Sequence, residues 1–300
     1  MRTSRTSILI TVVFVLLSAT SVMAQQDFST VTIKATKVSG NVYMLEGSGG
    51  NIGVSVGPDG ILIVDDQFAP LADKIKAALK TLGEGKLKFV LNTHWHPDHT
   101  GANQVFGPEA PIIAHDNVRK RLATEQKSEF FKRTTPASPK EALPVITFGH
   151  SVTVHFNGEE IRAIHFPNGH TDGDSVIFFT GSNVVHMGDD FFGNRFPFVD
   201  LDSGGSVEGL IKNIADVMAK LPADVKIIPG HGPISTLDDL RRYHQMLVTT
   251  TDIVRQKMAA GKTIEQIKTE GLPAQWNDWG TGFIKTDMWL QAIHASLSKK

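Results

Sequence analysis

Thr93-His94-Trp95-His96-Pro97-Asp98-His99 follows directly on the apolar run Leu87–Leu91. Three imidazoles and a carboxylate fall within one short loop. In an extended backbone His94 and His96 point the same way, because the side-chain period is two. Asp98 and His99 then fall on a tighter turn beyond Pro97. One pair can hold one metal ion while Asp98 and His99 hold a second. The chain has no cysteine, so no thiolate is available and any metal site must use histidine and carboxylate.

Working outward, three further segments repeat the setting of an apolar strand that ends in a glycine-flanked histidine or aspartate. Gly169-His170-Thr171 follows the run 161–166, Gly188-Asp189-Asp190 follows 184–187, and Pro229-Gly230-His231-Gly232 follows Lys226–Ile228. Loops at strand ends are where a rigid scaffold presents function, and glycine lets the backbone crowd a metal.

The H-x-H-x-D-H run, the glycine-histidine, the aspartate after a strand and the P-G-H-G run, in that order, resemble the metallo-β-lactamase superfamily over about residues 42–243. The resemblance implies a four-layer αββα metallo-β-lactamase sandwich, an α/β fold with its site at one edge. It implies that His94, His96 and His170 bind one zinc, that Asp98, His99 and His231 bind the other, and that Asp189 bridges the two. Such a site takes two Zn2+ per chain, leaves a position open for water, and lets two zincs about 3.5–4 Å apart share a hydroxide that attacks a carbonyl. Asp98 is then also catalytic, orienting the attacking group. Asp189 is preferred to Asp190 as the bridge, and Asp65 to Asp66 as the carboxylate that supports the site from behind.

Elsewhere the pattern alternates strands and helices. Short β-forming runs at 31–33, Val42–Glu46, 52–56 and 61–64, the last two separated by Gly57-Pro58-Asp59-Gly60, read as an antiparallel meander. A helix over 70–82, the strand Leu87–Leu91, a strand at 112–114 and a helix over 116–125 follow. A proline-bearing stretch, 134–144, reads as surface chain. A second β-rich region covers 152–156, 160–166, 175–180 and 184–187, with Asn157-Gly158 as a hairpin turn. Helices at 207–221 and Leu237–Ala259 flank the strand Lys226–Ile228, and helices at 263–269 and 287–298 close the chain. Two sheets face to face with helices outside both satisfy this order.

The first residues read as an export signal: Arg2 and Arg5, an apolar run over 8–17, and Val22-Met23-Ala24 as a cleavage site. Residues 1–24 are thus expected to be removed, with no stable membrane anchor left, and 25–300 to form a single domain in the periplasm or outside the cell. A formal net charge of −1 gives no basic excess to neutralise a phosphate backbone, so nucleic acid is not an expected partner and a small-molecule substrate is. The oligomeric state is not legible in the sequence.

Among the remaining residues, His115, His150, His155, His244 and His294 read as structural or exposed, and His165 and His186 as core or support for the site. Thr171, Asp172 and Asp174 are expected to fix the His170 loop by local hydrogen bonds. Gly47–Gly50 and Asn51 read as a flexible hairpin tip. Phe191, Phe192, Phe196 and Phe198 are either core or one wall of a substrate cleft, with Arg195 as the residue that binds a substrate carboxylate; Trp276 and Trp279 read as core. The best substrate reading is a β-lactam amide. Against it, the lysine usual a few positions after Asp189 is missing, with Phe192 three residues on. The alternatives are a thioesterase or lactonase, of glyoxalase-two-like or quorum-quenching-like type, or a di-iron redox protein on the same fold.

Overall fold

The computed structural model describes residues 27–299. The chain opens with β1 (Lys34–Ser39), β2 (Val42–Glu46), β3 (Ile52–Gly57) and β4 (Gly60–Val64), then α1 (Ala72–Leu82) and β5 (Leu87–Leu91). Two one-turn helices, α2 (Pro97–Thr100) and α3 (Asn103–Phe106), lead to β6 (Ile112–His115), α4 (Asp116–Leu122), the short hairpin β7 (Gln126–Ser128) and β8 (Arg133–Thr135), and β9 (Ile146–Phe148). The second half runs β10 (Ser151–Phe156), β11 (Glu159–His165), β12 (Ser175–Phe179), β13 (Val184–His186), α5 (Val207–Met218), β14 (Lys226–Ile228), α6 (Leu237–Ala259), α7 (Ile264–Glu270) and α8 (Thr286–Ser298).

Strands β1-β2-β3-β4-β5-β6-β9 form one sheet and β10-β11-β12-β13-β14 the other. The early strands pair antiparallel, while β4-β5-β6-β9 and β13-β14 pair parallel. The side-chain alternation of β4 shows why its residues are apolar without a break. Leu62 and Val64 pack against Ile161, Ile177 and Phe179 of the facing sheet, whereas Ile61 and Ile63 pack against Ile75 and Leu79 of α1. The second sheet does the same: Ile228 and Val184 face the first sheet, and Ile227 and Val185 face Leu210, Leu240 and Trp289 of the helices. Both faces of the central strands are therefore covered, which yields the layers α1, sheet, sheet and α5-α6-α8, and strands buried on both faces, such as β4 and β13, read as continuous hydrophobic runs.

Two sequence expectations change. The first strand begins at Lys34 instead of occupying 31–33, because its register is set by β2, with Lys34 opposite Glu46 and Lys37 opposite Tyr43. It is an edge strand with exposed lysines, which local apolarity does not mark. The hairpin β7-β8 and the edge strand β9 are also additions, each only three residues long. The export signal read at 1–24 lies outside the described residues; among the described residues no helix is long and apolar enough to cross a membrane.

Candidate functional site

The parallel pairing puts the C-terminal ends of β4, β5, β13 and β14 at one edge, and the loops there carry the chemistry. Pro97 keeps His96 extended (φ −62°, ψ 147°), as a residue before proline prefers, and then opens the single turn α2 that carries Asp98 and His99. The two sheets are tied at this edge by Ser175 N–H donating to Thr93 O (2.9 Å) and Asn51 N–H donating to Gly230 O (2.7 Å). Gly47–Gly50 and Asn51 are thus not a free tip. Asn51 is buried, and its side-chain amide donates to Pro229 O (2.9 Å) and Gly232 O (2.8 Å). His186 accepts from Gly188 N–H on Nδ1 and donates from Nε2 to Asn51 O (3.0 Å). The first-sheet turn is therefore locked onto the His231 loop. A Cβ on Gly50 would lie 2.1 Å from His99 Cε1, and one on Gly230 would lie 2.0 Å from Asp189 Oδ1; only glycine allows these approaches.

The seven nominated side chains lie in two adjoining clusters: His94, His96, His170 and Asp189, each offering one atom within 4.8 Å of the others, and Asp98, His99 and His231 on the same criterion. Asp189 faces both. Its Oδ1 is 3.0 Å from His99 Nε2 and 3.4 Å from His231 Nε2, and its Oδ2 is 3.5 Å from His170 Nε2 and 3.9 Å from His94 Nε2. Asp190 points elsewhere: its Oδ1 accepts from His170 N–H (3.3 Å) beneath the loop, and burial pushes its carboxyl up to about 7.

Four of the five imidazoles have one nitrogen occupied from behind, which settles which nitrogen faces the centre. Thr93 Oγ1 gives its proton to Asp65 Oδ2 (2.7 Å) and accepts from His94 Nδ1 (3.0 Å). His99 Nδ1 donates to the same Asp65 oxygen (2.7 Å), His170 Nδ1 to Phe198 O (2.7 Å), and His96 Nε2 to Asp200 Oδ2 (2.8 Å). The nitrogens left facing the centre are His94 Nε2, His96 Nδ1, His99 Nε2 and His170 Nε2. Of these, His94 Nε2 is buried with no hydrogen-bond partner, and His170 Nε2 lies 2.8 Å from His96 Nδ1. Inward-facing lone pairs with carboxylate or carbonyl partners behind them are how proteins orient imidazole for a metal, so this donor set fits zinc ions.

Burial holds His94 well below the usual imidazole range and His170 down to about 4, so both are neutral. In the second cluster burial also opposes charge, but the carboxylates outweigh it. Asp189 and Asp98 lift His231 to about 9, while His99 and His231 hold Asp98 down to about 2.

Asp65 takes the supporting position; Asp66 instead accepts from Ala102 N–H, and burial raises its carboxyl. Asp174 fixes the His170 loop by accepting from Thr171 N–H and Oγ1–H, as expected, but Asp172 does not act locally. Both its oxygens accept from Arg121 (2.7 Å each), which pins α4 to the loop. His165 stacks on His115 at 3.6 Å and donates from Nδ1 to Asp174 O (2.8 Å), so it supports the His170 loop from behind. The four phenylalanines divide. Phe191 packs on Tyr243 and Phe196 on Trp289 in the core, Phe192 stacks on His231 (5.2 Å, 17°), and Phe198 lies against His96 and His170. Trp276 and Trp279 are core. Arg195 lines the cleft and pairs with neither Asp200, which serves His96, nor Asp202, which accepts from Glu129 N–H. Asp200 as the partner of His96 and the cleft residues Phe131, Arg133 and Phe283 escaped the sequence reading, which placed Asn51 at a hairpin tip without its clamp on the His231 loop; a faint signal existed only for Asp200, an acidic residue eleven positions past Asp189.

The sequence profile of the metallo-beta-lactamase superfamily matches residues 35–231. A hydroxyacylglutathione hydrolase of Haemophilus influenzae is 30% identical over 166 residues, covering 54% of this chain and 76% of its own length. Among solved structures, a metallo-beta-lactamase from Pontibacter korlensis superposes with a TM-score of 0.60 at 16% identity, covering 72% of this chain and 99% of that one. A double mutant of a sec-alkyl sulfatase does so with a TM-score of 0.68 at 14% identity, covering 89% of this chain and 50% of that one. At these identities the structures report on fold alone.

Proposed function

Because the chain belongs to the metallo-β-lactamase superfamily and is a hydrolase on that fold, we propose that it is an exported, dinuclear zinc enzyme that hydrolyses the bond between the carbonyl carbon and the leaving nitrogen, oxygen or sulfur of a small acyl substrate. The carrying observation is Asp189, whose two oxygens face the two clusters separately. His94, His96 and His170 would hold one zinc, Asp98, His99 and His231 the other, and Asp189 both. Two zinc ions held there would supply Lewis acidity and water activation at neutral pH.

The protein's own groups then have distinct tasks. Asp65 and Asp200 keep the imidazole protons on the outer nitrogens. Asp98, 29% exposed on its side chain, is the ionised carboxylate at the cleft, where it orients water. Phe192 and Phe198 exclude solvent on one side of the ring cluster. Arg195 is the cation for a substrate carboxylate, since a guanidinium makes two parallel hydrogen bonds to that group.

A β-lactam amide is the first substrate to test. A thioester is the second, favoured by the similarity to the Haemophilus hydroxyacylglutathione hydrolase. The purified protein should contain two zincs per chain by elemental analysis and lose zinc and turnover together on chelation. A panel of β-lactams, lactones and thioesters then identifies the bond; stoichiometric iron, or full turnover without metal, overturns the zinc reading. Arg195→Ala should raise KM roughly ten- to a hundredfold on a carboxylate substrate and little on its ester. Equal effects on both remove Arg195 from the site. Export is tested by N-terminal sequencing of the mature protein, with Gln25 the expected first residue.

A further inference from the structure

The cleft above the two clusters has a volume of about 650 Å³, and the loops bearing the seven residues do not make its apolar wall alone. Phe198, which lies 5.7 Å from the His96 ring, also meets Phe131 at 5.1 Å, on the turn between β7 and β8. Phe131 in turn lies near-parallel to Phe283 at 5.9 Å and 26°. Phe283 precedes α8, beyond the stretch 35–231 that matches the family. A strip of rings therefore runs from a site imidazole to the rim, assembled from three distant segments. Its outer end is in water, with Phe283 63% exposed. Exposed aromatic surface continuous with a functional cleft is characteristic of a binding surface.

Two guanidiniums border the same cleft. Arg133 sits over the Phe131 ring at 4.9 Å. The Arg195 stem packs against Gly282, where a Cβ would lie 3.3 Å from it, and its Nε donates to Gly193 O at 3.4 Å. Neither has a carboxylate partner among the described residues, although nearby charges do: Arg121 pairs with Asp172 and Lys132 with Glu129.

We propose that this rim is a specificity subsite for an amphipathic acid, a substrate with a carboxylate for Arg133 and Arg195 and an apolar group the size of an aryl ring for the Phe198-Phe131-Phe283 strip. Its catalytic consequence rests on the acyl-hydrolase reading, whereas the recognition itself does not. A ring laid on the strip covers Phe131 and Phe283 and removes apolar surface from water on both partners. The carboxylate meets cations with no competing anion.

Calorimetric titration of the zinc-loaded chain with 4-phenylbutyrate, butyrate and 4-phenylbutanol separates the two contributions. 4-Phenylbutyrate should bind at least about tenfold tighter than butyrate. Phe131→Ala combined with Phe283→Ala should bring that ratio below about threefold and leave butyrate unchanged. Arg133→Gln should weaken 4-phenylbutyrate by about tenfold without affecting 4-phenylbutanol. Phe283→Ala alone, at an exposed position, should cut the ratio by about threefold even if the double variant does not fold. Equal affinity for butyrate and 4-phenylbutyrate, or a ring preference that Phe283→Ala leaves undiminished, overturns the subsite. If the ring preference holds while no acyl substrate turns over, the reaction is wrong and the subsite stands. If acyl substrates turn over with no ring preference, the subsite is wrong and the reaction stands.

Discussion

The two halves of the site are built differently. His94, His96 and His170 are nearly sealed, with side-chain exposures of 1%, 11% and 0%, and burial keeps His94 and His170 uncharged. Each of these rings is held from behind by a different residue: Thr93, Asp200 and the Phe198 carbonyl. Asp98 and His231 are instead 29% and 22% exposed, line the cleft, and stabilise each other's charge. His94 and His170 in the sealed half offer lone pairs with no proton to displace. The open half offers a charged pair, lining the cleft, in which a metal would have to displace the His231 proton. A single carboxylate, Asp189, joins them, and a single buried one, Asp65, orients a ring in each.

That contrast ranks the expected effects of substitution. Asp189→Ala removes the carboxylate that, among the described residues, faces both halves, so zinc content should fall at both positions and turnover should drop on the order of a thousandfold. Loss of just one zinc by elemental analysis would break the idea that the halves share this carboxylate. Asp65→Asn is isosteric and suits the left-handed backbone there (φ 65°). With an amide nitrogen in place of Oδ2, the His99 proton is driven to Nε2, and the Thr93 contact that orients His94 is lost as well. Zinc affinity should fall roughly ten- to a hundredfold at both positions, measured by competition with a chromogenic chelator. An effect confined to one zinc would show that Thr93 holds His94 without help.

Of the seven candidate ligands the Asp200 side chain hydrogen-bonds His96 alone, its other oxygen capping the turn at Asp202 and Ser203, which an amide oxygen in Asp200→Asn can still do. One zinc should weaken by about tenfold while the other keeps its affinity, so the two chelator-competition steps should separate. Coincident steps would mean that the halves load as a unit. The smallest effect is expected at Asn51→Ala, which loses two hydrogen bonds to the His231 loop. Unfolding free energy should fall by about 1–3 kcal/mol in denaturant titration, with two zincs retained at saturating metal. A loss of zinc at saturation would make the Asn51 clamp part of the open half.

Much of this was readable one segment at a time. Leu87–Leu91, Lys226–Ile228 and Leu237–Ala259 have the bounds that apolar patterning assigns them, because strands covered on both faces and an amphipathic helix each leave a local signature. The grouping of His94 with His96 and of Asp98 with His99 follows from side-chain period and from Pro97. The choice of Asp65 over Asp66 and of Asp189 over Asp190 rested on resemblance to a family, and the hydrogen bonds of these residues now supply a physical reason.

The rest depends on where distant segments meet. Asp200 reaches His96 across 104 residues, Asn51 reaches Pro229 across 178, and Arg121 reaches Asp172 across 51. None has a periodicity or a neighbour in sequence that foretells its partner. The first strand was misplaced because it is defined by pairing with β2, not by its own apolarity, and the hairpin β7-β8 is too short to carry a pattern. The sequence alone determined the donor set, the strand ends that bear it and the layer order, since these follow from residue type and local repeat. Only the tertiary structure decided which nitrogen of each ring faces inward, which half is sealed, and that Phe131, Arg133 and Phe283 share a cleft with them, because these depend on the closing of two sheets over hydrogen bonds between residues far apart in the chain.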